Sequence, residues 1–103
     1  MEIPQSFQIL GHTITVEFSD SLYVDESAYG LSRFEKNIIT LATGEFSRSL
    51  IEQTFCHEVI HFILHYMAEG KLNTNEKFVD LMGQFLHQYE TTKVTGETNG
   101  SNT

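Results

Sequence analysis

The chain has 103 residues, 40% apolar and 12% aromatic, which suits one domain with a modest core and argues against wholesale disorder. Fourteen acidic residues against six basic ones give a formal net charge of −8, which disfavours nucleic acid as a partner because phosphate binding depends on Lys and Arg. A lone cysteine, Cys56, allows no internal disulfide, and neither a secretory signal pattern nor a membrane-length apolar run is present, so the expected setting is soluble and cytoplasmic with no membrane partner.

In chain order, residues 6–18 predict two strands around a turn. Phe7 and Ile9 alternate before Gly11-His12, and Ile14, Val16 and Phe18 alternate after it. Residues 20–29 read as a connecting loop. A second hairpin is expected from Tyr29 to Phe34 and from Ile38 to Ala42, around a polar turn at Glu35-Lys36-Asn37. A long helix then starts near Ser47–Ser49, with Ser49-x-x-Glu52 as a capping box and Gly70 as the stop. It is apolar nearly all round, so burial on several sides is expected, apart from a narrow facet of Thr54, His57, Glu58, His61 and His65. After a short polar connection, a second helix from about Thr74 to Tyr89 should lie antiparallel to the first. Phe78, Leu81, Met82, Phe85 and Tyr89 form its apolar stripe, and Glu76, Asp80, Gly83 and His87 share another face. The expected domain spans residues 1–90, followed by a polar, disordered tail over 91–103.

The chemistry gathers at His57-Glu58-Val59-Ile60-His61, an H-E-x-x-H pattern on the long helix. Residues four apart share a helix face, so two neutral imidazoles can hold one metal ion between them. Glu58 projects about 100° round from His57, beside that ion, where its carboxylate can accept a proton from water. A catalytic zinc takes three protein ligands. Glu76, with Asp80 one turn further on the same face, can supply the third if that face looks onto the histidines. Asp80 would then accept a hydrogen bond from a ligand histidine and set its tautomer. The competing interpretation is that Asn73-x-x-Glu76 is a second capping box, in which Glu76 serves its own helix end. His65 lies about 12 Å along the helix from His57, too far for the same ion. Cys56 reads as a small buried hydrophobe, and His12 and His87 as packing or surface residues.

His57-Glu58-Val59-Ile60-His61 followed by Asn75-Glu76-Lys77-Phe78-Val79-Asp80 resembles the zincin metallopeptidases, specifically the thermolysin-like gluzincin branch. In size and element order the chain is also similar to small zincin-like proteins of bacteria and phages. The matching residues, 57–80, cover under a quarter of the chain. The resemblance implies His57, His61 and Glu76 as ligands of one Zn2+, Glu58 as general base and Asp80 behind His57. It implies an α+β fold, a twisted antiparallel sheet of two hairpins followed by the active-site helix and a second antiparallel helix. It implies peptide-bond hydrolysis by a zinc-activated water on a peptide or protein substrate. It also implies that the last strand before the helix, Ile38, Ile39, Thr40, Leu41 and Ala42, is an edge that pairs with extended substrate. Zincins add a donor for the oxyanion, for which Tyr23, Tyr29, Tyr66 and His65 are equal candidates here. Two alternatives remain at this point: a zinc-stabilised binding module of the same fold without turnover, and a metal-free protein in which the facet is internal polar packing.

Overall fold

Alternating apolar residues build the first hairpin of a computed structural model that describes residues 1–96. β1 (Ser6–Ile9) and β2 (His12–Ser19) pair antiparallel, with Ser6 opposite Thr15 and Ile9 opposite His12. Leu10 and Gly11 close the turn, both at positive φ (47° and 81°), as a two-residue hairpin loop with right-handed twist requires. The inward side chains of β2, Ile14 and Val16, are buried, while their neighbours Thr13, Thr15 and Glu17 face solvent. Where a loop was expected over residues 20–29, α1 (Leu22–Glu26) forms one short helix and buries Leu22.

The second hairpin, β3 (Gly30–Arg33) and β4 (Ile38–Ala42), is antiparallel as expected. The fold is α+β, but the two hairpins do not join into a wholly antiparallel sheet. The strand order is β1-β2-β4-β3, and β4 runs parallel to β2, from Thr15 opposite Ile38 to Ser19 opposite Ala42. The connection through α1 carries the chain past one strand position, β3 returns along the outer edge, and β4 fills the slot between. The sheet is therefore mixed. β4 is an interior strand, with Ile39, Thr40, Leu41 and Ala42 all buried.

α2 (Arg48–Tyr66) crosses this sheet. Phe55, Cys56, Val59 and Phe62 meet Ile14, Val16, Ile39 and Leu41 in the main core. Burial pushes the Cys56 thiol up to about 11, which leaves it protonated and inert at neutral pH. The helix begins two residues earlier than the Ser49 capping box implied, within the expected Ser47–Ser49 start. Ser47 is the cap, its hydroxyl accepting from Leu50 N at 3.1 Å, and Ser49 instead bonds Gln53. Nor does Gly70 stop it. Ala68 takes the left-handed conformation (φ 59°), and the amides of Ala68 and Glu69 donate to the carbonyls of His65 and Leu64 at 3.0 and 2.9 Å. This is the two-bond C-terminal closure usually given to glycine. Ala68→Gly is expected to raise stability by roughly 0.5–1 kcal/mol in urea denaturation, since an L side chain there is strained.

Glu52, freed from any capping role, is buried between α2 and the last helix. His87 Nε2 lies 2.9 Å from its Oε1, and Arg48 Nε donates to Oε2 at 3.0 Å. His87, with help from Arg48, holds the Glu52 carboxyl below its usual range. A depressed folded value means this contribution is full above the unfolded value of about 4.5 and disappears as pH falls through the folded one. The Tm difference between the protein and Glu52→Gln should therefore be constant near neutrality and close on acidification below about pH 4.5.

α3 (Gly70–Asn73) is a single turn, and α4 (Glu76–Thr92) runs antiparallel to α2, ending at Thr92 rather than Tyr89. The expected tail thus gives up its first two residues to α4, and residues 97–103 lie outside the described residues. Asn75 is the α4 cap, its side chain accepting from Phe78 N at 3.1 Å. The face that packs on α2 carries Val79 and Gly83, whereas Phe85 and Tyr89 on the apolar stripe are each 61% exposed. Gly83 explains that choice. A Cβ placed on it would stand 2.9 Å from His57 Cα and 3.0 Å from His57 N, so the two helices touch backbone to backbone. Gly83→Ala should cost roughly 1–3 kcal/mol by chemical denaturation, because backbone cannot yield as a side chain does. Among the described residues no helix is long and apolar enough to cross a membrane.

Candidate metal centre

The close α2–α4 approach brings the predicted ligands together. His57 and His61, one turn apart, have ring centroids 4.9 Å apart. Glu76, in the first turn of α4, bridges them: Oε1 lies 3.4 Å from His57 Nε2 and Oε2 lies 3.7 Å from His61 Nε2. One ligand atom from each of the three residues falls within 4.8 Å of the other two, so the group could hold a metal ion. A tetrahedral ion about 2.0–2.1 Å from each donor sets neighbouring donors roughly 3.3 Å apart. The glutamate–histidine spacings, each to a different carboxylate oxygen, are close to that value, and the three donors taken singly spread over no more than 4.8 Å.

The other nitrogen of the His61 ring is hydrogen-bonded, and that of His57 faces a carboxylate. His61 Nδ1 lies 2.5 Å from Asn73 Oδ1, and Asn73 Nδ2 donates to the His61 carbonyl at 3.2 Å. With its amide N–H so engaged, Asn73 presents oxygen to the ring, and His61 Nδ1–H donates. Asp80 Oδ1 stands 3.5 Å from His57 Nδ1, where a carboxylate can only accept. The His61 ring is thereby set in the tautomer that leaves Nε2 free, the arrangement that a ligand histidine needs, and Asp80 stands behind His57 without a hydrogen bond to it. The capping interpretation of Asn73 and Glu76 is replaced: Asn75 caps α4, Asn73 serves His61, and Glu76 faces the histidines.

Glu58 is 6% exposed, and Ser32 Oγ donates to its Oε1 at 2.6 Å. Two cavities meet at Glu58 and His57. One, of about 330 Å³, also borders Tyr29, Gly30, Thr54 and Asp80. The other, of about 540 Å³, borders Ser32, Phe34, His61, Asn73 and Glu76. Glu76 itself is open to solvent, its side chain 70% exposed. The result is an open cleft with β3 on one side and the helix pair as floor and wall; the His–His–Glu group lines the larger of the two cavities, and His57 and Glu58 stand where the two meet.

Ile38, Ile39, Thr40, Leu41 and Ala42 are not the edge of this cleft. β4 is hydrogen-bonded to a neighbour on both sides, and the strand beside the site with one unpaired side is β3. Of the four candidate oxyanion donors, Tyr29 alone borders either cavity, and it borders the smaller one, which His61 and Glu76 do not line. Tyr66 is bonded to Asn37 and stacked on His12, and His65 is stacked on Phe34 at 4.3 Å, at the far end of α2. His87 belongs to the Glu52 pair.

Comparison of the chain with protein-family models, with curated proteins and with solved structures gives no match. The site therefore rests on its own residues. Two of them, Asn73 and Ser32, carry no signal in a linear reading. Asn73 looks like a helix cap, and Ser32 looks like any polar residue in a strand. The only clue to Ser32 is its shared strand face with Gly30, two residues away.

Proposed function

We propose that this protein is a zinc-dependent peptidase. The observation that supports the reading best is the convergence of one donor atom each from His57, His61 and Glu76 within 4.8 Å, next to a buried Glu58. Two imidazoles and a carboxylate are a usual donor set for catalytic zinc. When bound, zinc supplies a Lewis acid that brings the pKa of a water near 7 and polarises a carbonyl. The chain's own residues do the rest. Glu58 accepts the proton of the attacking water and returns it to the leaving amine. Asn73 holds the His61 ring with Nε2 presented, and Asp80 is placed to accept from His57 Nδ1 as the site closes round an ion. β3 offers its unpaired edge to an extended polypeptide, so substrate runs along the cleft from one cavity to the other.

Zinc content of protein purified without an affinity tag or chelator, followed by a peptide-library digest of the zinc-loaded protein, tests the proposal. About one zinc per chain and cleavage abolished by a chelator are expected. Less than about half a zinc per chain would sink the metal reading. One observation favours the alternative of a zinc-stabilised binding module without turnover: Glu58 already has a partner in Ser32. A zinc-loaded protein that cuts nothing in the library would select that alternative.

A further inference from the structure

We infer that Ser32 is the residue that positions Glu58, an inference that rests on the peptidase reading above. Gly30 and Ser32 lie two apart on β3 and so project to the same side of the strand. That side faces α2. The Ser32 hydroxyl donates to Glu58 Oε1 at 2.6 Å. A Cβ at Gly30 would stand 2.5 Å from Thr54 Cγ2, 3.1 Å from Glu58 Oε2 and 3.2 Å from Glu58 Cγ. One residue thus anchors the carboxylate and the other leaves it room. A glutamate side chain free to rotate would lose much of its effectiveness as a base, because proton transfer depends on holding the acceptor within hydrogen-bond reach of the reacting water.

The strand concerned is also the unpaired edge of the sheet beside the cleft. An extended substrate pairing with β3 would therefore be placed by the same backbone that, through Ser32, places Glu58. Base and scissile bond would share one rigid reference. A merely structural tie between β3 and α2 would need the same hydrogen bond but would give no dependence of turnover on it.

The first measurement requires neither metal nor activity. Urea unfolding of metal-free Ser32→Ala, Glu58→Ala and the double variant should show the two changes coupled by about tenfold in the unfolding constant, the size of a hydrogen bond to a charged group. Independent effects would overturn the proposal. In the zinc-loaded protein, Ser32→Ala should keep one zinc per chain and a KM within about twofold, while kcat falls at least about tenfold. Ser32→Thr, which retains the hydroxyl, should recover most of that loss. Unchanged kcat in Ser32→Ala, or a loss explained by lost zinc, would overturn the role of Ser32 and leave the peptidase reading standing. A wild-type chain that holds zinc and cleaves no peptide would remove that reading, and this one with it.

Discussion

Glu58→Gln is expected to bind zinc as the unaltered protein does and to lose roughly 10²–10⁴-fold in peptide hydrolysis, the usual range for removing a general base. The two side chains have nearly the same shape, and Glu58 is not one of the three convergent donors, so metal affinity should hold. The amide also keeps an oxygen able to accept from Ser32, whose hydroxyl now bonds Oε1. Folding should therefore change little, and the replacement isolates proton acceptance from packing. Zinc stoichiometry, Tm and kcat/KM measured on one preparation separate these effects. Undiminished hydrolysis would sink the role given to Glu58. A collapse of Tm would instead make Glu58 a structural tie between α2 and β3.

The second large effect is expected at Glu76. Glu76→Ala removes one of three donors while leaving the helix cap in place, because the cap is Asn75. In metal-free protein the change should cost no more than about 0.3–1 kcal/mol, the loss of one carboxylate from a helix N-terminus. In the presence of zinc it should cost far more. Altering a residue behind a ligand already lowers metal affinity 10–100-fold, and losing a ligand should exceed that. For the unaltered protein, zinc at 100 times its Kd adds about 2.7 kcal/mol of stability. In a domain of this size that is a Tm rise of roughly 10–20 °C. Glu76→Ala should lose most of this zinc-dependent rise while keeping nearly the same metal-free Tm. An equal rise in both proteins would show that Glu76 does not bind the ion. The contrast is informative because the Glu76 side chain is 70% exposed, so without the ion it contributes little to stability.

Much of the site is written in local sequence, because its chemistry depends on local periodicity. Four-residue spacing on a helix determines that His57 and His61 share a face, whatever the rest of the chain does. The same holds for Glu76 and Asp80 on α4. The absence of glycine and proline from Leu50 to Glu69, with apolar residues on most faces, likewise determines that α2 is a helix buried on several sides; alternation determines the first hairpin and branched side chains the second. These properties follow from 3.6 and 2.0 residues per repeat and need no long-range information.

What joins those pieces was decided in three dimensions. Apolar patterning alone would turn the stripe from Phe78 to Tyr89 toward the core, yet Phe85 and Tyr89 point to solvent. Gly83 allows a backbone contact with His57 that no larger residue permits, and that contact rotates Glu76 and Asp80 toward the histidines. The parallel pairing of β2 with β4 was equally invisible, since strand order depends on which edge a returning chain meets and not on the strand's own residues. It moved Ile38–Ala42 into the interior and left β3 at the edge beside the cleft. With β3 came Ser32 and Gly30, far from Glu58 in sequence and in contact with it in space. The sequence by itself determined which side chains could form a metal site and on which helix faces they stand. Only the tertiary structure decided that the faces meet and which strand holds Glu58, because side-chain direction is a local property and the approach of two backbones is not.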